Sequence, residues 1–160
     1  KRGMIASAAV TNAVDEAYYL YLGESNAPES DPNIRYMKMH GRKIYEYSLM
    51  NVPLAMKAAL DKTDISAGQI SKILLHQANE KMDEAIVKRF YKLFGLQADT
   101  PKVMPMNIQE LGNSSVATVP TLYDMILKGN LPGHSIREGD ALLFASVGAG
   151  MSINAIVYIQ

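Results

Sequence analysis

The short apolar run "ISKILL" (70–75) stops at "HQAN" (76–79), and a charged segment with helical periodicity begins at once. The run is too short for a helix and reads as a buried strand, where side chains need not alternate in polarity. Asn79 stands where a helix N-cap belongs, since its side-chain oxygen can accept a backbone N–H that the first turn leaves unpaired. Met82, Ala85, Ile86, Phe90, Leu93 and Phe94 then recur at the spacing of one helix face, which Gly95 ends. A buried strand delivering straight into an amphipathic helix calls for a sheet with helices layered on it.

The other segments agree. "GMIASAAVTN" (3–12) reads as a strand, "GESNAPESDPN" (23–33) as a surface loop, and "IRYMKMHG" (34–41) as a half-buried strand by its alternation. From Arg42 to about Lys62 the apolar spacing is helical, and Pro53 within it predicts a kink or a split. "KVMPMN" (102–107) reads as a brief strand, and "IQELGNSSVATVP" as a polar loop entering a helix that ends near Lys128. "DALLFASV" and "MSINAIVYI" are the final strands, joined through "GAG" (148–150). Strands and helices mostly alternate, which predicts an α/β layered domain.

A chain of 160 residues suffices for one domain with a real core. Its 16 basic residues balance 16 acidic ones, which argues against a general nucleic-acid binder or a polybasic membrane-surface protein. No apolar run reaches the length of a membrane-spanning helix, and no signal peptide is visible. The absence of Cys excludes disulfides and thiolate metal sites, fits a cytoplasmic location, and removes the commonest acyl-transfer nucleophile. Opening on Lys1 and Arg2 instead of Met, the chain reads as a piece of something longer.

Three polar spots interrupt the apolar elements: His76 to Asn79, Gly112 to Ser115, and Gly148 to Gly150. Each lies at a strand's end or a helix's start, and in α/β sheets sites form outside the carboxyl ends of strands. Singly, each has a structural explanation. His76 reads as a hydrogen-bonded strand-end residue, Asn79 and Asn113 as helix caps, and the "GAG" as a hairpin turn.

Together they resemble a known family. "LLHQANEKMDEAIVKRFYKLFG", "LGNSSVATVPTLYDMI" and "EGDALLFASVGAGMSINAIVY" are similar, in order and spacing, to the second half of the 3-oxoacyl-[acyl-carrier-protein] synthase III enzymes. These belong to the thiolase superfamily and initiate type II fatty acid synthesis. The upstream "YMKMHGRKIYEYSL" (36–49) resembles the family's strand and helix before the His block, so the likeness covers residues 36–160 well and the first 35 loosely. The resemblance implies an α/β thiolase-like half-domain, a mixed five-stranded sheet layered with helices.

It also implies roles. His76 and Asn113 are the catalytic pair, aimed at one carbonyl oxygen on which an enolate forms as a malonyl thioester loses carbon dioxide. Two preset N–H donors stabilise that enolate more than the ground-state carbonyl, and a neutral imidazole and an amide suit the task. Ala149 stands where relatives often carry the middle glycine of a Gly-Gly-Gly turn, whose backbone N–H belongs to the oxyanion hole. Ala78 and Asn79 match positions beside the pantetheine arm of coenzyme A or carrier protein, and Gly41 and Arg42 match a pair near the same tunnel. Lys81, Lys88 and Arg89 fall where relatives keep a basic patch for the acidic acyl carrier protein; a solvated helix surface explains them equally. No metal and no bound redox cofactor are implied, only acyl-CoA and malonyl-ACP as substrates.

The family's nucleophile is a Cys in the first half of the enzyme, and this chain has none. The chain therefore reads as the C-terminal half of such a synthase, inactive without an N-terminal half, the intact enzyme being a homodimer. Two alternatives stand beside this one. The first is a related Cys-His-Asn condensing enzyme of polyketide or alkylquinolone type, or an acyltransferase relative. The second is a non-catalytic thiolase-fold binding domain, in which His76 and Asn113 would not converge on a pocket.

Overall fold

The computed structural model describes residues 2–160. Strand β1 (Gly3–Thr11) is followed by the short strands β2 (Leu20–Gly23) and β3 (Tyr36–Met39) and by the long helix α1 (Gly41–Leu60). The buried run becomes β4 (Ile70–Leu75), and α2 (Glu80–Lys92) follows as the periodicity demands. Two single-turn helices, α3 (Thr100–Val103) and α4 (Ile108–Leu111), lead to α5 (Thr118–Leu127). The chain closes with β5 (Ala141–Gly148) and β6 (Ser152–Ile159).

The main sheet has the order β1-β6-β5-β4. Strand β4 pairs with β5 in parallel, while β5 with β6 and β6 with β1 are antiparallel, so the sheet is mixed as expected. Among the described residues it holds four strands, not five. The alternating segment at 34–41 forms β3, which pairs only with β2 in a separate two-stranded ribbon. The expected strand at 102–107 does not form. Pro101 opens α3 there, and neither it nor Pro105 has an N–H to give to a ladder.

Helices α1 and α2 cover one face of the sheet. Ile73, Leu75, Leu143, Ala145, Ile153, Ala155 and Val157 meet Val52, Met56, Ile86 and Phe90 in one continuous core. Helix α5 covers the other face over β4 and β5, where Leu74 and Phe144 pack against Leu122 and Ile126. Because both faces of β4 are covered, its apolar run need not alternate; burying one such aliphatic side chain stabilises by about 1.5–3 kcal/mol. Beyond α5 the outward side chains of the second half of β1, Ser7, Ala9 and Thr11, stay exposed. No helix among the described residues is long and apolar enough to cross a membrane.

Pro53 does not split α1, which runs unbroken through it. A proline within a helix leaves the carbonyl four residues back without its donor. Here that carbonyl belongs to Leu49, and the Arg89 guanidinium on α2 donates to it at 3.2 Å. A side chain from the neighbouring helix replaces the missing N–H.

Candidate active site

The β4–β5 ladder continues one residue past the end of β4, where the His76 N–H donates to the Ala145 carbonyl at 3.0 Å. His76 is thus half-buried at the carboxyl ends of the two parallel strands. Its ring Nδ1 lies 3.2 Å from the Ser115 carbonyl oxygen. A carbonyl can only accept, so Nδ1 carries the hydrogen. Burial holds the imidazole below its ordinary pKa and outweighs the Ser115 bond, which raises it. The resting ring is therefore neutral, with a lone pair on Nε2. This revises the expected neutral donor: Nε2 can donate to an oxygen only after the ring takes up a second proton.

Asn113 is placed by Gly112, whose backbone (φ 62°, ψ −161°) lies in a region open essentially to glycine alone. The Asn113 Oδ1 accepts the Ser115 N–H at 2.9 Å, which leaves the Nδ2 hydrogens as that side chain's donors. Ser115 therefore touches both residues, His76 through its carbonyl and Asn113 through its N–H. It does so from a left-handed conformation, φ 54°. Two side chains remote in sequence meet on one residue.

Each member of the "HQAN" turn has its own task. Gln77 is buried; its Nε2 donates to the Pro105 carbonyl at 3.2 Å and its Oε1 accepts the Asn107 N–H at 3.0 Å. It clamps the segment that leads to Asn113. The Ala78 N–H donates to the His76 carbonyl at 3.2 Å, which tightens the corner. Asn79 caps α2, its Oδ1 accepting the Met82 N–H at 3.1 Å. Ala78 and Asn79 are exposed on the rim.

The "GAG" joins β5 to β6 through a turn at Ala149–Met151, with left-handed backbone at Gly150 (φ 70°) and Met151 (φ 49°). The buried Tyr47 hydroxyl on α1 donates to the Met151 carbonyl at 2.9 Å and fixes the turn. Ala149 is exposed at the same end of the sheet as His76. Gly41 and Arg42 open α1; Arg42 is exposed and pairs with Glu46 at 2.9 Å. Lys81 and Lys88 are exposed on α2, Lys88 pairing with Glu84 at 2.9 Å. Arg89 is exposed as well and donates to the Leu49 carbonyl at 3.2 Å, so, like Lys88, it has a partner within the chain.

Three residues escaped the sequence reading. Ser115 and Gln77 lie inside the quoted motifs, but their contacts run through main-chain groups that no residue type announces. Asp83 carried a signal, being an acid in register with the inner face of α2 at Ile86 and Phe90. It is buried beside His76. Burial, with the charge of Glu80 second, pushes its carboxyl up to about 8. A concavity of about 470 Å³ opens at the other end of β4 among Ile70, Lys72 and Lys102, away from these groups. Among the described residues no group of three or more His, Asp or Glu could hold a metal ion.

The family model described as 3-oxoacyl-[acyl-carrier-protein (ACP)] synthase III C terminal matches residues 60–159. The chain belongs to that family. The matched span includes His76, Asn113 and Ala149, and α1 with Gly41 and Arg42 lies almost wholly outside it. Among relatives, the beta-ketoacyl-[acyl-carrier-protein] synthase III of Lactobacillus helveticus is 28% identical over 144 residues, covering 87% of this chain and 41% of that enzyme. The enzyme of the same name from Acaryochloris marina is 31% identical over 143 residues, covering 86% and 40%. The chain thus spans about two fifths of the length of the curated relatives it matches. The crystal structure of 3-oxoacyl-[acyl-carrier-protein] synthase III from Aquifex aeolicus superposes with a TM-score of 0.80 at 20% identity, over 100% of this chain and 45% of that one. That likeness is one of fold, and it bears out the thiolase-like α/β half-domain.

Proposed function

We propose that this chain is the C-terminal half of a decarboxylating condensing enzyme, which joins an acyl-CoA primer to malonyl-ACP and so initiates type II fatty acid synthesis. The observation that carries the reading is Ser115, which holds His76 by its carbonyl and Asn113 by its N–H. A non-catalytic scaffold needs no such convergence, and that alternative loses weight.

A Cys on the N-terminal half takes the acyl group from acyl-CoA. The carbon–carbon bond to the malonyl carboxylate breaks, carbon dioxide leaves, and the electron pair passes to the thioester as an enolate. Asn113 Nδ2 donates to the enolate oxygen, and His76 joins once protonated. The enolate carbon attacks the acyl-Cys carbonyl, the sulfur leaves as thiolate, and a 3-oxoacyl-ACP results. The Ala149 N–H supports the oxyanion formed in acyl transfer. Gly41, Arg42, Ala78 and Asn79 flank the pantetheine arm, Asn79 with its Nδ2 since its oxygen caps α2. Lys81 and Lys88 face the acidic carrier protein. The enzyme works as a cytoplasmic homodimer.

The test uses the full-length protein and assays Cys acylation and malonyl-ACP decarboxylation separately. His76→Ala and Asn113→Ala should leave acylation near wild type and lower decarboxylation by roughly 10²–10³. Equal loss of both half-reactions rejects the assignment, as does turnover by the 160-residue chain alone.

A further inference from the structure

Strand β4 carries one charged residue, Lys72, and that residue is only 7% exposed. Its Nζ donates to the Lys102 carbonyl at 2.6 Å. An ammonium has three N–H donors, so two remain for other acceptors. No carboxylate among the described residues lies within ion-pair distance of it. Asp140, the acid whose charge acts on it, turns an oxygen to the Arg137 N–H at 2.8 Å instead. A buried cation without a counter-charge is costly, and burial duly holds the amine below its ordinary pKa.

Lys72 is also a wall of the concavity of about 470 Å³ at this end of β4. That volume is in the range of small-molecule sites, about 300–1,000 Å³. Lys102, whose carbonyl holds the amine, lines it from α3. Gln69 lines it too, and its Oε1 accepts from Ser66, which leaves its Nε2 as a donor. Asp99 is the one acid on the wall, against two lysines. Ile70, Leu96 and Val103 supply an apolar side, and Leu96 is 43% exposed there. The concavity thus pairs a cationic, donor-bearing end with an aliphatic wall.

We propose that this concavity is a binding site for a small aliphatic carboxylate, whose anionic head meets Lys72 and whose hydrocarbon body lies on Ile70, Leu96 and Val103. The head accepts the N–H groups that the Lys102 carbonyl leaves over and supplies the missing counter-charge. Charge-assisted hydrogen bonds of this kind are about twice as strong as neutral ones. The site stands at the opposite end of β4 from His76 and does not depend on the condensing reading.

The test uses the full-length protein, ¹³C-labelled at its Ile, Leu and Val methyl groups, with hexanoate as the probe and hexanamide as its uncharged counterpart. Hexanoate should shift the Ile70, Leu96 and Val103 methyls saturably, and hexanamide should bind at least tenfold more weakly. Lys72→Met keeps the stem without the charge, so it should weaken hexanoate at least tenfold and leave hexanamide unchanged. The wild-type comparison decides even if that variant does not fold. Equal binding of the two probes overturns the proposal. So do shifts confined to Val52 and Leu75, which line the cavity beside His76, or methyls at Ile70, Leu96 and Val103 that hexanoate leaves unmoved.

Discussion

Arg89 donates to the Leu49 carbonyl at 3.2 Å, the group that Pro53 leaves without a helical donor. Arg89→Met keeps the apolar stem and removes the donor, at an expected cost of about 1–3 kcal/mol for an unpaired buried carbonyl. Pro53→Ala restores the backbone N–H, and in that background the same change should cost almost nothing. A double-mutant cycle in urea reads the coupling. Equal costs in both backgrounds would show that Arg89 does not stand in for the lost donor.

Gln77 holds Pro105 and Asn107 from inside the protein. Gln77→Leu leaves a carbonyl and an N–H unpaired, for an expected loss of about 2–4 kcal/mol. Amide exchange at Asn107 should accelerate more than exchange in β4. Uniform acceleration across the sheet would mean that the clamp has no local part.

Both contacts of Ser115 run through its backbone, so its hydroxymethyl group is dispensable to them. Ser115→Gly should retain decarboxylation and gain stability by up to about 1 kcal/mol, since the left-handed conformation then carries no side-chain strain. Ser115→Pro cannot adopt φ 54° and has no N–H for Asn113, so it should abolish decarboxylation. Activity tracking the hydroxyl instead would move the role to the side chain.

Asp83 gives stability a pH dependence of definite sign. Its folded pKa of about 8 lies above that of an unfolded aspartate, so between those values the native state holds a proton that the unfolded chain has released. The contribution is whole below about pH 4 and is lost as pH rises to about 8, by up to about 1.4 kcal/mol per unit. The difference in unfolding free energy between wild type and Asp83→Asn should follow that slope and flatten on both sides. A difference independent of pH across the window would place the carboxyl in water.

The sequence shows where the chain changes direction more clearly than which atoms meet there. The β4-to-α2 corner was legible because an apolar run, a cap and a helical period coincide within a few residues. Strand count was not, since the alternation at 34–41 marks a half-buried ribbon as readily as a sheet strand. The pairing of His76 with Asn113 came through resemblance, whereas the tautomer did not. Letters do not say whether a neighbour presents a carbonyl or an N–H. Arg89 is exposed as the sequence suggests, but its partner, a carbonyl orphaned by Pro53, belongs to another helix and is not announced by the letters. Asp83 escaped because the α2 face was traced through its apolar members alone.

The bare stretch of sheet beyond α5 has a consequence of scale. From Ser7 onward the outward groups of β1 are two hydroxyls and a methyl, from Ser7, Thr11 and Ala9. Anything laid flat over them could settle nearer than the roughly 10 Å that separates ordinary stacked sheets. An indole introduced at Ala9 would leave the isolated chain undisturbed, yet would act as a wedge against whatever rests there.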